Sequence, residues 1–88
     1  MKTIINGISK VYYYETLEDL KKNEKEFNDL KINLEHHEES TPCRICPRFI
    51  DGGEFNFILL HNTGDKERDL NKLNECLRIA KLPEFKEL

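Results

Sequence analysis

Glu54-Phe55-Asn56-Phe57-Ile58-Leu59-Leu60-His61 is the stretch on which the fold turns. Phe55, Phe57 and Leu59 share one side of an extended chain, and Asn56, Ile58 and Leu60 share the other. A strand apolar on both sides belongs in the middle of a sheet, with cover on both faces. Asp51-Gly52-Gly53 precedes it and Arg44 to Ile50 comes before that, so two extended runs around a Gly-rich turn read as a hairpin.

Working outward toward the C-terminus, Thr63-Gly64-Asp65 offers a cap for a helix whose Leu70, Leu73, Leu77 and Ala80 recur on one face. Pro83 ends that helix, because its ring disfavours helical backbone at Leu82, and Glu84 to Leu88 is expected to be a short flexible tail. Toward the N-terminus, Leu30, Ile32, Leu34 and His36 alternate with Lys31, Asn33, Glu35 and His37, the pattern of a half-buried strand. Before it, Thr16-Leu17-Glu18-Asp19 starts a helix with a hydroxyl cap and acids in its first turn, and this helix frays near Asn28-Asp29. Asn6-Gly7, between Thr3-Ile4-Ile5 and Ile8 to Tyr14, predicts an opening hairpin with a two-residue turn.

The expected architecture is one α+β domain over residues 1–88, in the order β-β-α-β-β-β-α. An antiparallel or mixed sheet of four to five strands carries two helices on one face. From the first helix onward this order is that of the double-stranded-RNA-binding fold and of several unrelated small α+β domains, a likeness of topology alone. The last helix opens on the mixed charges Asp65-Lys66-Glu67-Arg68-Asp69, not on a basic cluster, and fold analogy alone assigns no function.

Charge narrows the partners. The 14 basic side chains stand against 17 acidic ones, and residues 1–42 hold 6 basic and 9 acidic groups, the whole excess. Direct nucleic-acid binding, which normally needs a basic patch to displace counterions, is disfavoured. The apolar runs are too short to span a bilayer. Met1 to Gly7 lacks the continuous apolar core of a secretory signal, and three cysteines suit a reducing compartment, so a cytoplasmic location is expected.

Two of the three histidines and two of the three cysteines fall in His36-His37-Glu38-Glu39-Ser40-Thr41-Pro42-Cys43-Arg44-Ile45-Cys46-Pro47. Thiolate and imidazole suit tetrahedral zinc, so Cys43 and Cys46 with His36 or His37, completed by Cys76 or His61, form a candidate metal set. Pro47 opposes the usual knuckle, which places a positive-φ glycine after its second cysteine. It also opposes a redox Cys-x-x-Cys, whose reactivity comes from a following helix. Cys43, His37 and Glu39 as a catalytic trio sit on a polar link with nothing to hold them, and Asp51-Gly52-Gly53 leads into a strand, not into the helix a phosphate loop needs.

Tyr12, Tyr13 and Tyr14 alternate faces in a strand, so they cannot all enter one core, and at least one is expected at the surface. With Glu15, Glu18 and Asp19 beyond them they form a candidate partner-binding patch, aromatic and acidic, suited to a basic surface such as that of a nucleic-acid-binding protein. The sequence therefore favours a small non-enzymatic protein-interaction module, a regulator or inhibitor that occupies a partner's surface without a cofactor. A zinc-stabilised module, contacting nucleic acid, is the alternative, and a small thiol enzyme ranks third. The abundance of Lys, Asn, Glu and Ile fits an AT-rich genome, as in accessory proteins of phages and mobile elements.

Overall fold

The structure, a computed structural model, describes residues 1–35 and 37–88. Four strands form one mixed sheet: β1 (Lys2–Asn6), β2 (Ser9–Tyr14), β3 (Cys43–Ile50) and β4 (Gly53–His61), in the order β1-β2-β4-β3. β1 runs antiparallel to β2, β2 parallel to β4, and β4 antiparallel to β3. The doubly apolar β4 is central, as its composition requires, and β2 is its parallel neighbour.

Helices α1 (Leu17–Lys21), α2 (Glu24–Asp29) and α3 (Lys66–Ile79) cover the sheet. The α+β class and the mixed four-stranded sheet agree with the sequence; the helices do not share a face. Tyr12, Tyr14, Phe57, Leu59 and Cys46 pack with Leu20 and Phe27 of α1 and α2. Val11, Tyr13, Ile58 and Leu60 pack with Leu73 and Leu77 of α3 on the opposite side. A strand apolar on both sides demands this arrangement, since each of its faces must be shielded from water.

The expected first helix is two pieces. Asn23 leaves helical backbone (φ −110°, ψ 22°) while its side-chain amide donates to the Asp19 carbonyl at 3.2 Å. That local bond competes with the helical ladder, as asparagine commonly does.

The strand expected from Leu30 onward is absent among the described residues. α2 instead ends with Lys31 at φ 60°, Ile32 N–H bonding Phe27 O at 2.8 Å and Lys31 N–H bonding Asn28 O at 3.0 Å. This double bond closes a helix C-terminus, and the apolar contact that goes with it is Ile32 against Phe27, both fully buried. The alternation of Leu30, Ile32 and Leu34 thus reports an apolar helix stop, not a pleat. α3 stops identically: Lys81 has φ 59°, and Leu82 N–H bonds Leu77 O at 2.8 Å.

No fifth strand therefore pairs with β3 among the described residues. Its edge is stitched by guanidinium groups. Arg48 donates to Leu30 O (2.7 Å) and Lys31 O (3.0 Å), and Arg44 to Asn33 O (2.9 Å).

Both hairpins have two-residue turns. Asn6 pairs with Ser9 around Gly7 and Ile8, one residue later than expected, because Gly7 takes the positive φ (58°). Ile50 pairs with Gly53 around Asp51 (φ 51°) and Gly52 (φ 78°), the two positive angles of a turn whose twist suits a hairpin.

The tail is part of the core. Phe85 is buried beside Leu73 and Leu77, and Asn74 grips its backbone, Nδ2 donating to Phe85 O (2.9 Å) and Oδ1 accepting from Phe85 N–H (2.8 Å). An apolar residue within reach of an uncovered sheet face is drawn in, whatever its position in the chain.

Candidate functional site

The tyrosine triplet is buried throughout: Tyr12, Tyr13 and Tyr14 are at most 2% exposed. Alternation does prevent three consecutive residues from sharing one core, but here two cores exist. Tyr12 and Tyr14 enter one and Tyr13 the other, so the expectation of an exposed tyrosine is corrected.

Each hydroxyl meets a titratable partner on a different element. Tyr12 donates to Glu26 of α2 at 2.7 Å, Tyr13 donates to Asp69 of α3, and the Tyr14 hydroxyl lies 2.6 Å from Nε2 of His37. Burial, then the hydrogen bond to each carboxylate, pushes the Tyr12 and Tyr13 phenols well above their ordinary value. Burial, followed by the charge of Glu39, pushes Tyr14 up to about 12. Burial works against the Glu26 carboxylate, but bonds from Tyr12 and Lys10 (3.1 Å) outweigh it and hold the acid below its usual range. Asp69, 3% exposed, also accepts from Thr63 N–H (3.0 Å) and Thr63 Oγ1 (2.7 Å), so both its oxygens are engaged.

Of the acids expected beside the tyrosines, Glu15 and Glu18 are exposed, and Glu18 lies 3.7 Å from Lys21. Asp19 is committed to capping α1. Its carboxylate accepts from Thr16 N–H (3.1 Å) and Glu15 N–H (3.3 Å), bonds that hold its pKa below the ordinary value.

The cysteine pair is divided by the sheet. Cys43 and Cys46 both lie in β3, and a separation of three residues in a strand sends side chains to opposite faces. Cys43 packs on the α3 side and contacts Cys76; Cys46 is buried on the α1–α2 side. The two sulfurs therefore do not converge on one ion. His37 lies with Tyr14, on the side away from Cys43, and His36 lies outside the described residues. His61 stacks on Tyr14 with ring centroids 5.4 Å apart. Among the described residues, no three His, Cys, Asp or Glu side chains gather where they could hold a metal ion. Burial, then the neighbouring Cys76, raises the Cys43 thiol far above its ordinary value, which leaves little thiolate for nucleophilic or redox work.

Two regions remain, one at each end of the sheet. Both hairpin turns lie at the same end, and around them large apolar side chains stay exposed: Phe49 (81%), Ile5 (68%), Ile8, Ile50 and Phe55. Ile5 pairs with Lys10 and Lys10 with Phe57, while Phe55 stacks on Phe57 at 6.2 Å, so Ile5 and Phe55 lie on one face. α2 reaches this end only at Lys10, through Glu26, and at Arg48, through the Leu30 carbonyl, and leaves the neighbouring Ile5 and Phe55 exposed. A groove of about 530 Å³, lined by Lys22, Lys25, Glu26, Leu30 and Phe57, opens on that same face. In the sequence, the signal is the set of large apolar residues immediately flanking both turns, where a strand runs beyond its cover.

The other end is polar. The parallel strands β2 and β4 finish there at the paired residues Tyr14 and His61. A cavity of about 360 Å³ lies between the start of α3, the end of β4 and the 39–42 loop.

No protein-family description, curated protein or solved structure matches this chain.

Proposed function

We propose that the protein is a small non-enzymatic interaction module, a regulator or inhibitor that works by covering part of a partner's surface. Its contact region is the apolar hairpin end of the sheet and not the tyrosine strand. One observation carries this reading: Ile5, Ile50 and Phe55 are exposed on the α1–α2 face at the hairpin end of the sheet, with Ile8 in the turn and Phe49 exposed on the other face of the same end. Grouped exposure of this kind marks surfaces that are covered in use, whereas single exposed apolar residues carry no such meaning. The groups best suited to chemistry also support it, because Tyr12, Tyr13, Tyr14, Glu26, His37 and Asp69 are engaged with one another as ties between sheet and flanks.

Among the described residues no helix is long and apolar enough to cross a membrane. A cytoplasmic partner is the natural target of the reading. The test is affinity capture from the source cell, followed by titration of the purified captured protein against wild type and a Phe49→Ser/Phe55→Ser variant. Saturable binding lost in the variant, with an unchanged near-ultraviolet circular dichroism spectrum, supports the reading. Equal binding by both proteins, or no saturable partner, overturns it.

A further inference from the structure

The polar cavity at the strand ends is chemically unlike the apolar surface and lies at the far end of the sheet from it. Its α3 wall presents Arg68 and Lys72, one helical turn apart and both lining the space. Two acids line it as well, and both have internal donors. Asp69 is bonded by Tyr13 and twice by Thr63, and Glu39 Oε1 accepts from Leu17 N–H at 3.1 Å. The cations are less committed. Among the described residues no carboxylate lies within ion-pair distance of Arg68, and Lys72 has only a partly exposed contact with Glu75 at 3.6 Å. Such exposed pairs contribute little and are readily exchanged.

We infer that this cavity binds a small phosphate-bearing molecule, its phosphate held between Arg68 and Lys72. A guanidinium meets two oxygens of a phosphate in parallel bonds, and an ammonium adds a point charge on a third. A tetrahedral group can satisfy both cations at this spacing, whereas a carboxylate offers only two coplanar oxygens. The Thr63 and Ser40 side chains border the same space, and its volume is at the lower end of the range for small-molecule sites, larger than inorganic phosphate alone requires. Its place, beyond the carboxyl ends of two adjacent parallel strands, is where open sheets with parallel strands characteristically accept ligands.

The test is an amide chemical-shift titration of the full chain with inorganic phosphate, glycerol 3-phosphate and, as the carboxylate control, acetate, at constant ionic strength so that screening does not vary. Saturable shifts at Thr63, Arg68 and Lys72 are expected with both phosphates, with acetate weaker by about tenfold or more. Arg68→Gln and Lys72→Gln should each weaken phosphate by about tenfold or more, the scale of a charged hydrogen bond. Lys66→Gln, on the same helix but outside this cavity, should change little. Shifts that never saturate, equal weakening by Lys66→Gln, or acetate binding as tightly as phosphate would each overturn the assignment.

Discussion

The Tyr14 hydroxyl and His37 Nε2 lie 2.6 Å apart in the core between the sheet and the 37–42 segment. Burial, followed by the charge of Glu39, pushes the Tyr14 phenol up to about 12, so the hydroxyl keeps its proton beside the imidazole. Burial, then the charges of Arg44 and His61, lowers the His37 pKa, and its Nδ1 has no partner among the described residues. A depressed histidine pKa means that the unfolded chain takes up the proton first. Stability should therefore be intact above about pH 6.5 and fall as the pH drops toward the folded-state value. Melting temperatures from about pH 7 to about pH 5 should decline in wild type and flatten in His37→Gln; parallel slopes in the two proteins would remove His37 as the cause.

Tyr13 and Tyr12 both bond carboxylates but in different surroundings. Asp69 is 3% exposed, while Glu26 is half-exposed and keeps Lys10 as a second donor. Tyr13→Phe should cost about 1–3 kcal/mol in urea unfolding, because it leaves a buried charge with fewer donors. Tyr12→Phe should cost less, about 1 kcal/mol or below. The reverse ranking would contradict this account of the two bonds.

Phe85 turns the C-terminal segment into core. Phe85→Ala should destabilise by about 3–5 kcal/mol, a large share of the stability of so small a domain. Asn74→Ala should release the same segment, seen as faster amide exchange at Phe85. A tail that merely trailed in solvent would show neither effect.

Gly52 and Gly53 are adjacent but not equivalent. Gly52 has φ 78° with open space where a Cβ would go, so Gly52→Ala should cost about 1 kcal/mol from backbone strain alone. Gly53 has ordinary strand backbone and its added Cβ would rest 3.6 Å from Ile50 O, so Gly53→Ala should be neutral or slightly stabilising. Equal costs at the two positions would contradict the turn geometry.

What the sequence discloses and what it hides have specific physical sources. β4 and α3 are legible because their apolar patterns are long and have a single reading. Leu30, Ile32 and Leu34 mislead because residues two apart suit a packed helix stop as well as a strand. Cys43 and Cys46 resemble a chelating pair only while their backbone is unknown, since extended chain turns one sulfur away from the other. Tyr12 to Tyr14 are the subtlest case: alternation gives the direction of each side chain, but not whether cover exists on both sides. The apolar end is not legible in the sequence because cover, again, is a property of the assembled helices and not of the strand.

β2, with its neighbour β4, stands between the two cores. Through three successive hydroxyls it is tied to α2, to α3 and to the segment carrying His37, and its side chains help build both cores. The two halves of the molecule thus have a common wall, and loosening on one side changes the support available to the other. In an 88-residue chain with two small cores, strands that build both of them oppose independent unfolding of either half.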